Sequence, residues 1–278
     1  LQFLFSLSPF KQAAMTSTPI ELITSDKNQT VKLAKALLTQ ARQRKKQGQT
    51  VIEGIHLMDA ALRSDYPLVQ VLLAQSAHSH PEVQQLLARL PTYTSILTVA
   101  DSLYASIRSL GAGVDIMAII DIPAPALPTI DHDCLILNDV QDSGNVGTLL
   151  RTAAAVGIET VLCSTNTAQA WSPKTLRAGM GAQFALNIYE NLAITDILQQ
   201  VQTPLLATSS HTDTLIYDYD LRSPIAWIMG HEGQGVSDEL MQCATPIALP
   251  QPNGQESLNV AIAGSLCLYE TLRQRQYS

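Results

Sequence analysis

The sequence predicts an α/β chain in two parts, the second carrying a mostly parallel sheet. Three observations predict it. Strand-like and helix-like runs alternate through both halves. The strand-like runs of the second half, such as 134–137 and 225–229, are apolar throughout, the pattern of strands covered on both faces. Between the halves, residues 123–133 hold three prolines and no apolar periodicity, which marks a semi-extended linker. The division expected is an extension over 1–18, a smaller α/β unit over 19–122, the linker, and a second unit over 134–278.

Taken in order, residues 31–47 read as one helix. Val31, Ala34, Leu37, Leu38 and Ala41 recur at three- and four-residue steps, and Gly48 is a natural stop. Its other face is basic: Lys27, Lys32, Lys35, Arg42, Arg44, Lys45 and Lys46 meet no acid before Glu53. Such a run is either a solvated helix face or a set of phosphate contacts. A strand over 50–52, a helix over 55–63, a strand over 68–74, a helix over 81–90 and a strand over 93–99 follow. A helix over 102–110 has Asp101 as its expected N-cap, and a strand over 114–122 ends the first unit. After the linker come a strand at 134–137, a helix at 146–156, a strand at 160–164 and a helix starting at Ser172–Pro173. Strands near 204–208, 225–229 and 246–249 lead to a closing helix over 258–275.

Composition bounds the function. With 46% apolar and 15% charged residues the chain is globular, with an ample core. A formal charge of -7 excludes a protein that coats nucleic acid through bulk charge, while leaving room for a local basic patch. Cys134, Cys163, Cys243 and Cys267 show no ligand spacing and read as reduced, buried thiols, which points to a reducing, cytoplasmic compartment. No metal site is expected, and His78 and His80 read as loop residues. The apolar run 1–10 is too short for a membrane span; an upstream extension is the expectation, a targeting peptide the alternative.

Three motifs carry the chemistry: 145–151 (NVGTLLR), 230–235 (GHEGQG), and 249–250 (LP) followed by 256–260 (ESLNV). Together they bring amides, one arginine, one carboxylate, a hydroxyl and several glycines, without a Cys or His nucleophile. That inventory suits a transfer in which a bound cofactor supplies the electrophile and the protein positions the reactants. The glycine spacing of 230–235 is not the dinucleotide fingerprint, and a Walker-type lysine is missing. His231 reads as incidental. Taken singly, Asn145 could be a helix cap, Arg151 a surface ion pair and Ser257 the N-cap of the closing helix.

In this order and spacing, the three motifs resemble the SpoU/TrmH branch of the SPOUT superfamily, the knotted RNA 2′-O-ribose methyltransferases. The likeness covers about residues 133–275; residues 20–121 resemble the RNA substrate-binding domain often fused in front. The resemblance implies a trefoil knot, S-adenosylmethionine as cofactor, structured RNA (ribosomal, with transfer RNA as the alternative) as partner, and a homodimer with the last helix in its interface. It implies Asn145, Arg151, Glu232, Ser257 and Asn259 as catalytic residues. Thr208, Gly230, Glu232, Gly235, Leu249, Ser257 and Leu258 would hold the cofactor. Lys32, Lys35, Arg42, Arg44, Lys45 and Lys46 would meet RNA. An arginine stays protonated in proteins and is a poor base. Arg151 is therefore expected to stabilise a developing alkoxide and grip a phosphate, with the proton acceptor left open. Many relatives carry a serine where Ala261 stands.

Overall fold

The computed structural model describes residues 22–111, 113–252 and 258–277. Two sheets organise them. The first contains β1 (Leu22–Ile23), β2 (Gln49–Glu53), β3 (Gln70–Ala74), β4 (Ser95–Val99) and β5 (Ile116–Asp121), in the order β1-β4-β3-β5-β2. β5 runs antiparallel to both its neighbours, and the other pairs are parallel.

The helix expected over 31–47 is two helices, α1 (Gln29–Thr39) and α2 (Ala41–Gln47), separated by Gln40 in an extended conformation. Asn28 caps α1, accepting from the Thr30 and Val31 amides at 2.9 and 3.2 Å. The break lets Arg44 fold back and donate to the Leu37 carbonyl at 2.8 Å, satisfying a helix-end acceptor. Gly48 stops α2 in the left-handed conformation, φ 63°. α3 (Ile55–Arg63), α4 (Pro81–Leu87) and α5 (Asp101–Ile107) complete this part. Asp101 is not the cap of α5: Ala100 holds that position, and the Asp101 carboxylate accepts from the amide and hydroxyl of Ser76 at 2.9 and 2.8 Å.

The second sheet is parallel throughout, in the order β11-β9-β10-β6-β7-β8. Along the chain run β6 (Cys134–Leu137), α6 (Ser143–Ala155), β7 (Thr160–Ser164), α7 (Pro173–Ala178), β8 (Asn187–Leu192), α8 (Ile194–Gln200) and β9 (Leu205–Thr208). Then come β10 (Ala226–Met229), α9 (Asp238–Met241), β11 (Thr245–Ile247) and α10 (Val260–Gln276). Sequence reading foresaw the apolar central strands but not β8, whose mixed composition belongs to an edge. Ser172 caps α7 through a 3.1 Å bond from the Thr175 amide.

Close packing sets α6 and α10 against the sheet. A Cβ on Gly147 would lie 2.5 Å from the Ala178 Cβ and 2.7 Å from the Gly179 nitrogen, so α6 and α7 touch backbone to backbone. Gly264 lets side chains of α6 and β10 close on the α10 backbone: a Cβ there would lie 2.4 Å from the Leu149 Cδ2 and 3.0 Å from the Met229 Sδ. The buried Trp227 of β10 donates its indole N–H to the Thr271 hydroxyl at 3.0 Å, anchoring the middle of α10.

The two sheets share one apolar cluster, and the region around α7 joins them. Thr50 donates to the Trp171 carbonyl at 2.7 Å, and buried Glu53 accepts from Arg177 at 3.1 Å and from the Ser109 amide at 2.8 Å. Tyr66, Trp171 and Phe184 form an aromatic cluster with centroids 4.9 to 6.1 Å apart. Cys134, Cys163 and Cys267 are buried as free thiols, whereas Cys243 departs from expectation and is exposed. No helix among the described residues is long and apolar enough to cross a membrane. The expected extension over 1–18 lies outside the described residues, as do residues 253–257, within the segment 249–260 expected to thread the knot.

Candidate active site

β6 and β10 are neighbours in the parallel sheet, so the loops leaving their carboxyl ends emerge side by side, where α/β folds hold ligands. The β6 loop leads into α6. Asp142 is the N-cap, its Oδ1 accepting from the Gly144 and Asn145 amides at 2.8 and 3.0 Å. That assignment frees the Asn145 side chain, one turn in, to reach outward.

Asn145 donates from Nδ2 to Glu232 Oε1 at 3.0 Å. The Glu232 carboxylate, from the β10 loop, also accepts from the amides of Asp142 at 3.1 Å and Gln141 at 3.2 Å. On its other side, Asn145 Oδ1 accepts from Asn259 Nδ2 at 3.1 Å. Asn259 in turn caps α10, its Oδ1 accepting from the Ala261 and Ile262 amides at 2.9 and 3.2 Å. A continuous line of polar side chains, Glu232–Asn145–Asn259, thus ties the three sequence motifs together. The cap foreseen for Ser257 belongs to Asn259.

Partial burial would push the Glu232 carboxyl up. The hydrogen bonds from Asn145, Asp142 and Gln141 outweigh it and hold the group at about 2. Glu232 is therefore a fixed anion at neutral pH, suited to clamping rather than to accepting a proton.

The β10 loop closes on itself. A Cβ on Gly230 would sit 2.3 Å from the Gly235 carbonyl carbon and the Val236 nitrogen, so glycine is obligatory there. His231 and Gly235 exchange backbone hydrogen bonds of 2.9 and 2.8 Å across the turn. The His231 Nδ1 accepts from the Gly233 and Gln234 amides at 2.9 and 3.2 Å. His231 is thus not incidental but the organiser of this turn. With Nδ1 accepting, the ring proton resides on Nε2.

Two further residues escaped the sequence reading. Asn138, buried at the end of β6, accepts from the Ser237 amide at 2.7 Å and pins the far end of the glycine loop. Asp139 holds a left-handed conformation, φ 60°, uncommon outside glycine but one that aspartate adopts more readily than most residues. The Ser164 hydroxyl at 2.5 Å and the Asn166 amide at 3.2 Å keep it there. The available signal was two polar residues directly after an apolar strand.

The expected cofactor residues Thr208, Gly230 and Leu249 lie at the carboxyl ends of the adjacent strands β9 and β10 and just beyond β11. Gly235 closes the turn at φ 74°, and Leu258 is partly exposed before α10. Ser257 and Glu256 lie outside the described residues. The loops 208–210, 230–236 and 249–252 contain no Lys or Arg, so their rim suits an uncharged nucleoside rather than a polyphosphate. Backbone groups at such closely approached turns fit the flat adenosine of S-adenosylmethionine.

Arg151 is not drawn into the Glu232–Asn145–Asn259 line. Six residues beyond Asn145, it sits about 240° around α6 at 3.6 residues per turn. It is exposed, and among the described residues no hydrogen bond or ion pair engages it. Of the expected RNA contacts, Lys32, Lys35, Arg42, Lys45 and Lys46 are exposed along α1 and α2. Arg44 is the exception, 8% exposed, because its guanidinium serves the Leu37 carbonyl and Gln169 Oε1, the latter at 2.8 and 3.1 Å. Burial pushes its pKa down, and the nearby Glu190 opposes that. It is a structural residue rather than part of the basic face.

Comparison with known proteins gives a consistent result. Residues 133–269 match the SpoU rRNA Methylase family, and residues 28–116 match the MRM3-like substrate binding domain. An uncharacterized tRNA/rRNA methyltransferase of Synechocystis is 31% identical over 279 residues, covering 93% of this chain and 96% of the relative. The 23S rRNA (guanosine(2553)-2′-O)-methyltransferase RlmP of Bacillus subtilis is 31% identical over 251 residues, covering 89% and 97%. An AdoMet-bound rRNA methyltransferase from Sinorhizobium meliloti superposes with a TM-score of 0.80 at 27% identity, covering 93% of this chain and 99% of that one. The fold is also that of the SpoU methyltransferase AviRb from Streptomyces viridochromogenes in complex with AdoMet, with a TM-score of 0.83 at 23% identity, covering 90% and 99%.

Proposed function

The chain belongs to the SpoU rRNA methylase family, and on that premise we propose that it methylates a ribose 2′-oxygen of 23S-type ribosomal RNA. It is an S-adenosylmethionine-dependent RNA (ribose-2′-O)-methyltransferase. The bound cofactor supplies an electrophilic sulfonium methyl. The chain's residues do the rest by placement and by electrostatics.

The single observation that supports the site assignment is the hydrogen-bonded line Glu232–Asn145–Asn259. Glu232, fixed as an anion by its donors, holds the β6 and β10 loops at one spacing. Asn145 and Asn259 present amide groups beside that junction, where a ribose can be oriented. Thr208, Gly230, Gly235, Leu249, Ser257 and Leu258 would hold the cofactor. Arg151, exposed and unengaged, is available to grip a phosphate and stabilise the oxygen as its proton leaves. Neither Arg151 nor Glu232 is suited to take that proton, the first because it stays protonated, the second because it stays ionised.

In this reading the chain divides at the linker 123–133, with residues 19–122 selecting RNA through the exposed lysines of α1 and α2. The working form is a homodimer in the cytoplasm. Ile262, Leu266 and Tyr269 fall on one face of α10 at 56%, 50% and 54% exposure, an apolar stripe suited to a two-fold contact. Light scattering at micromolar concentration that returned a monomer would sink the dimer.

The deciding experiment incubates the protein with ribosomal and transfer RNA from a strain lacking its gene, with labelled S-adenosylmethionine, then digests to nucleosides. Label in one 2′-O-methylnucleoside of 23S RNA, lost in Arg151→Ala, is the expected result. Label confined to transfer RNA would move the substrate. No transfer to either pool, with the cofactor bound, would overturn the reading.

A further inference from the structure

A second cleft, of about 280 Å³, lies away from the three motifs, between the linker and the edge strand β8. Arg44, Lys45, Pro123, Trp171, Tyr189 and Glu190 are among the residues that line it. Its volume sits near the lower end of small-ligand sites, enough for one heteroaromatic ring system and little more. Its lining combines rings and prolines with a carboxylate and two cations.

Glu190 is the unusual member. Its Oε1 accepts from the Ala170 amide at 2.6 Å, while among the described residues Oε2 has no partner. Burial pushes its pKa up, although the Ala170 amide and the Arg44 charge oppose this. Arg44 does not close the gap: its guanidinium donates to the Leu37 carbonyl and to Gln169 Oε1. Trp171, also in the lining, has a buried indole N–H without a partner. Glu190 is half-buried, so its second oxygen faces the cleft, where a ligand donor can take the place of solvent. Lys45, at the end of basic α2, lines the same cleft and makes no hydrogen bond or ion pair among the described residues.

We propose that this cleft receives one unstacked guanine of the RNA, its N1–H and N2–H donors meeting the Glu190 carboxylate and its ring lying against the rings and prolines of the lining. The inference rests on the reading of the chain as an RNA-modifying enzyme. Guanine is the standard base that presents two adjacent donors on its pairing edge; uracil presents one N–H between two acceptors, and adenine and cytosine pair an amine with an acceptor. Sequence-specific RNA recognition works in this way, by splayed bases stacked on side chains and read on their edges. The cleft also communicates with the active site through one segment. Ala168 donates to the Val140 carbonyl in the β6 loop at 2.9 Å, and two residues on Ala170 donates to Glu190. A guanine held here fixes where the rest of the strand meets Asn145.

The test uses the full chain saturated with S-adenosylmethionine, so that the cofactor site cannot bind the probe. Guanosine, adenosine, cytidine and uridine 5′-monophosphates are titrated separately, following tryptophan emission. Of the two tryptophans, Trp227 is sealed in the core and Trp171 lines the cleft. The expected result is quenching by the guanine nucleotide at the lowest concentration, weakened at least tenfold in Glu190→Gln. That variant keeps an acceptor for the Ala170 amide, and its fold is checked by its melting temperature. Equal binding of all four nucleotides, no response into the millimolar range, or a response that Glu190→Gln leaves unchanged would each overturn the proposal. Methyl transfer to ribosomal RNA, measured on the same preparation, separates the two readings. Guanine selectivity without transfer strikes the enzyme reading, and transfer without guanine selectivity strikes the cleft alone.

Discussion

Glu232 and Glu190 are the same side chain in two regions of one sheet, and their acidities move in opposite directions. Glu232 collects an amide side chain and two neighbouring backbone N–H groups and is held at about 2. Glu190 is more deeply buried, receives one backbone N–H, and is pushed up. Both feel desolvation first; the number of donors decides which way each goes. The first is a finished clamp, while the second is a site with a vacancy for hydrogen bonding.

The comparison breaks most visibly in catalysis. Glu232→Ala removes the acceptor that sets the loop spacing, and a shift of about 1 Å is enough to cost roughly 10²-fold in rate. The kcat for methyl transfer should fall by about that factor, and an unchanged kcat would remove Glu232 from the machinery. Arg151→Ala should lose about 10²- to 10³-fold while leaving cofactor affinity intact, read by calorimetry beside the kinetics.

Next comes packing that the clamp depends on. Gly147→Ala puts a methyl 2.5 Å from the Ala178 Cβ and should destabilise the fold by about 1–3 kcal/mol, seen in urea unfolding. Ala at Gly157, where no atom lies within 4 Å of a Cβ, tests backbone conformation alone, since φ there is 83°. It should cost less than Gly147→Ala.

A finer test uses pH. The depressed Glu232 gives stability that is present above its unfolded value, near 4.5, and is lost as pH falls through about 2. The raised Glu190 gives the reverse: its contribution is full below the unfolded value and is lost as pH rises through the folded one. Subtracting the stability of each Gln variant from wild type across the acid range should therefore yield curves of opposite slope. Curves of the same slope would end the contrast. The smallest effect belongs to the exposed lysines: Lys46→Ala should weaken RNA binding modestly and lower the salt slope by about 1.

The difference between the regions also explains what the sequence could disclose. β6, β7 and β10 were legible because central parallel strands are apolar on both faces, and their bounds are set by the loops that follow. The pairing of the three motifs was legible because side chains that converge on one ligand recur in a fixed order. The break at Gln40 was not, because apolar spacing runs straight through it and only the tertiary bond from Arg44 to Leu37 reveals the turn. The same bond explains why one cation in a basic run is buried. β8 was missed because an edge strand needs no apolar signature, and with it went the wall of the second cleft. His231 was passed over because its partners are backbone amides, which leave no mark in a sequence.

α10 begins at Asn259 in the active site, is pinned near its middle by Thr271 on Trp227, and turns its apolar stripe outward. A rod held so is a lever: whatever leans on the stripe is felt at the Asn259 end, beside Asn145. If the stripe meets a second copy, then rate per molecule becomes a function of how crowded the enzyme is. Serial dilution should make turnover fall faster than protein, and restoring the concentration should bring it back. The chain would then report its own abundance to its own catalytic loop.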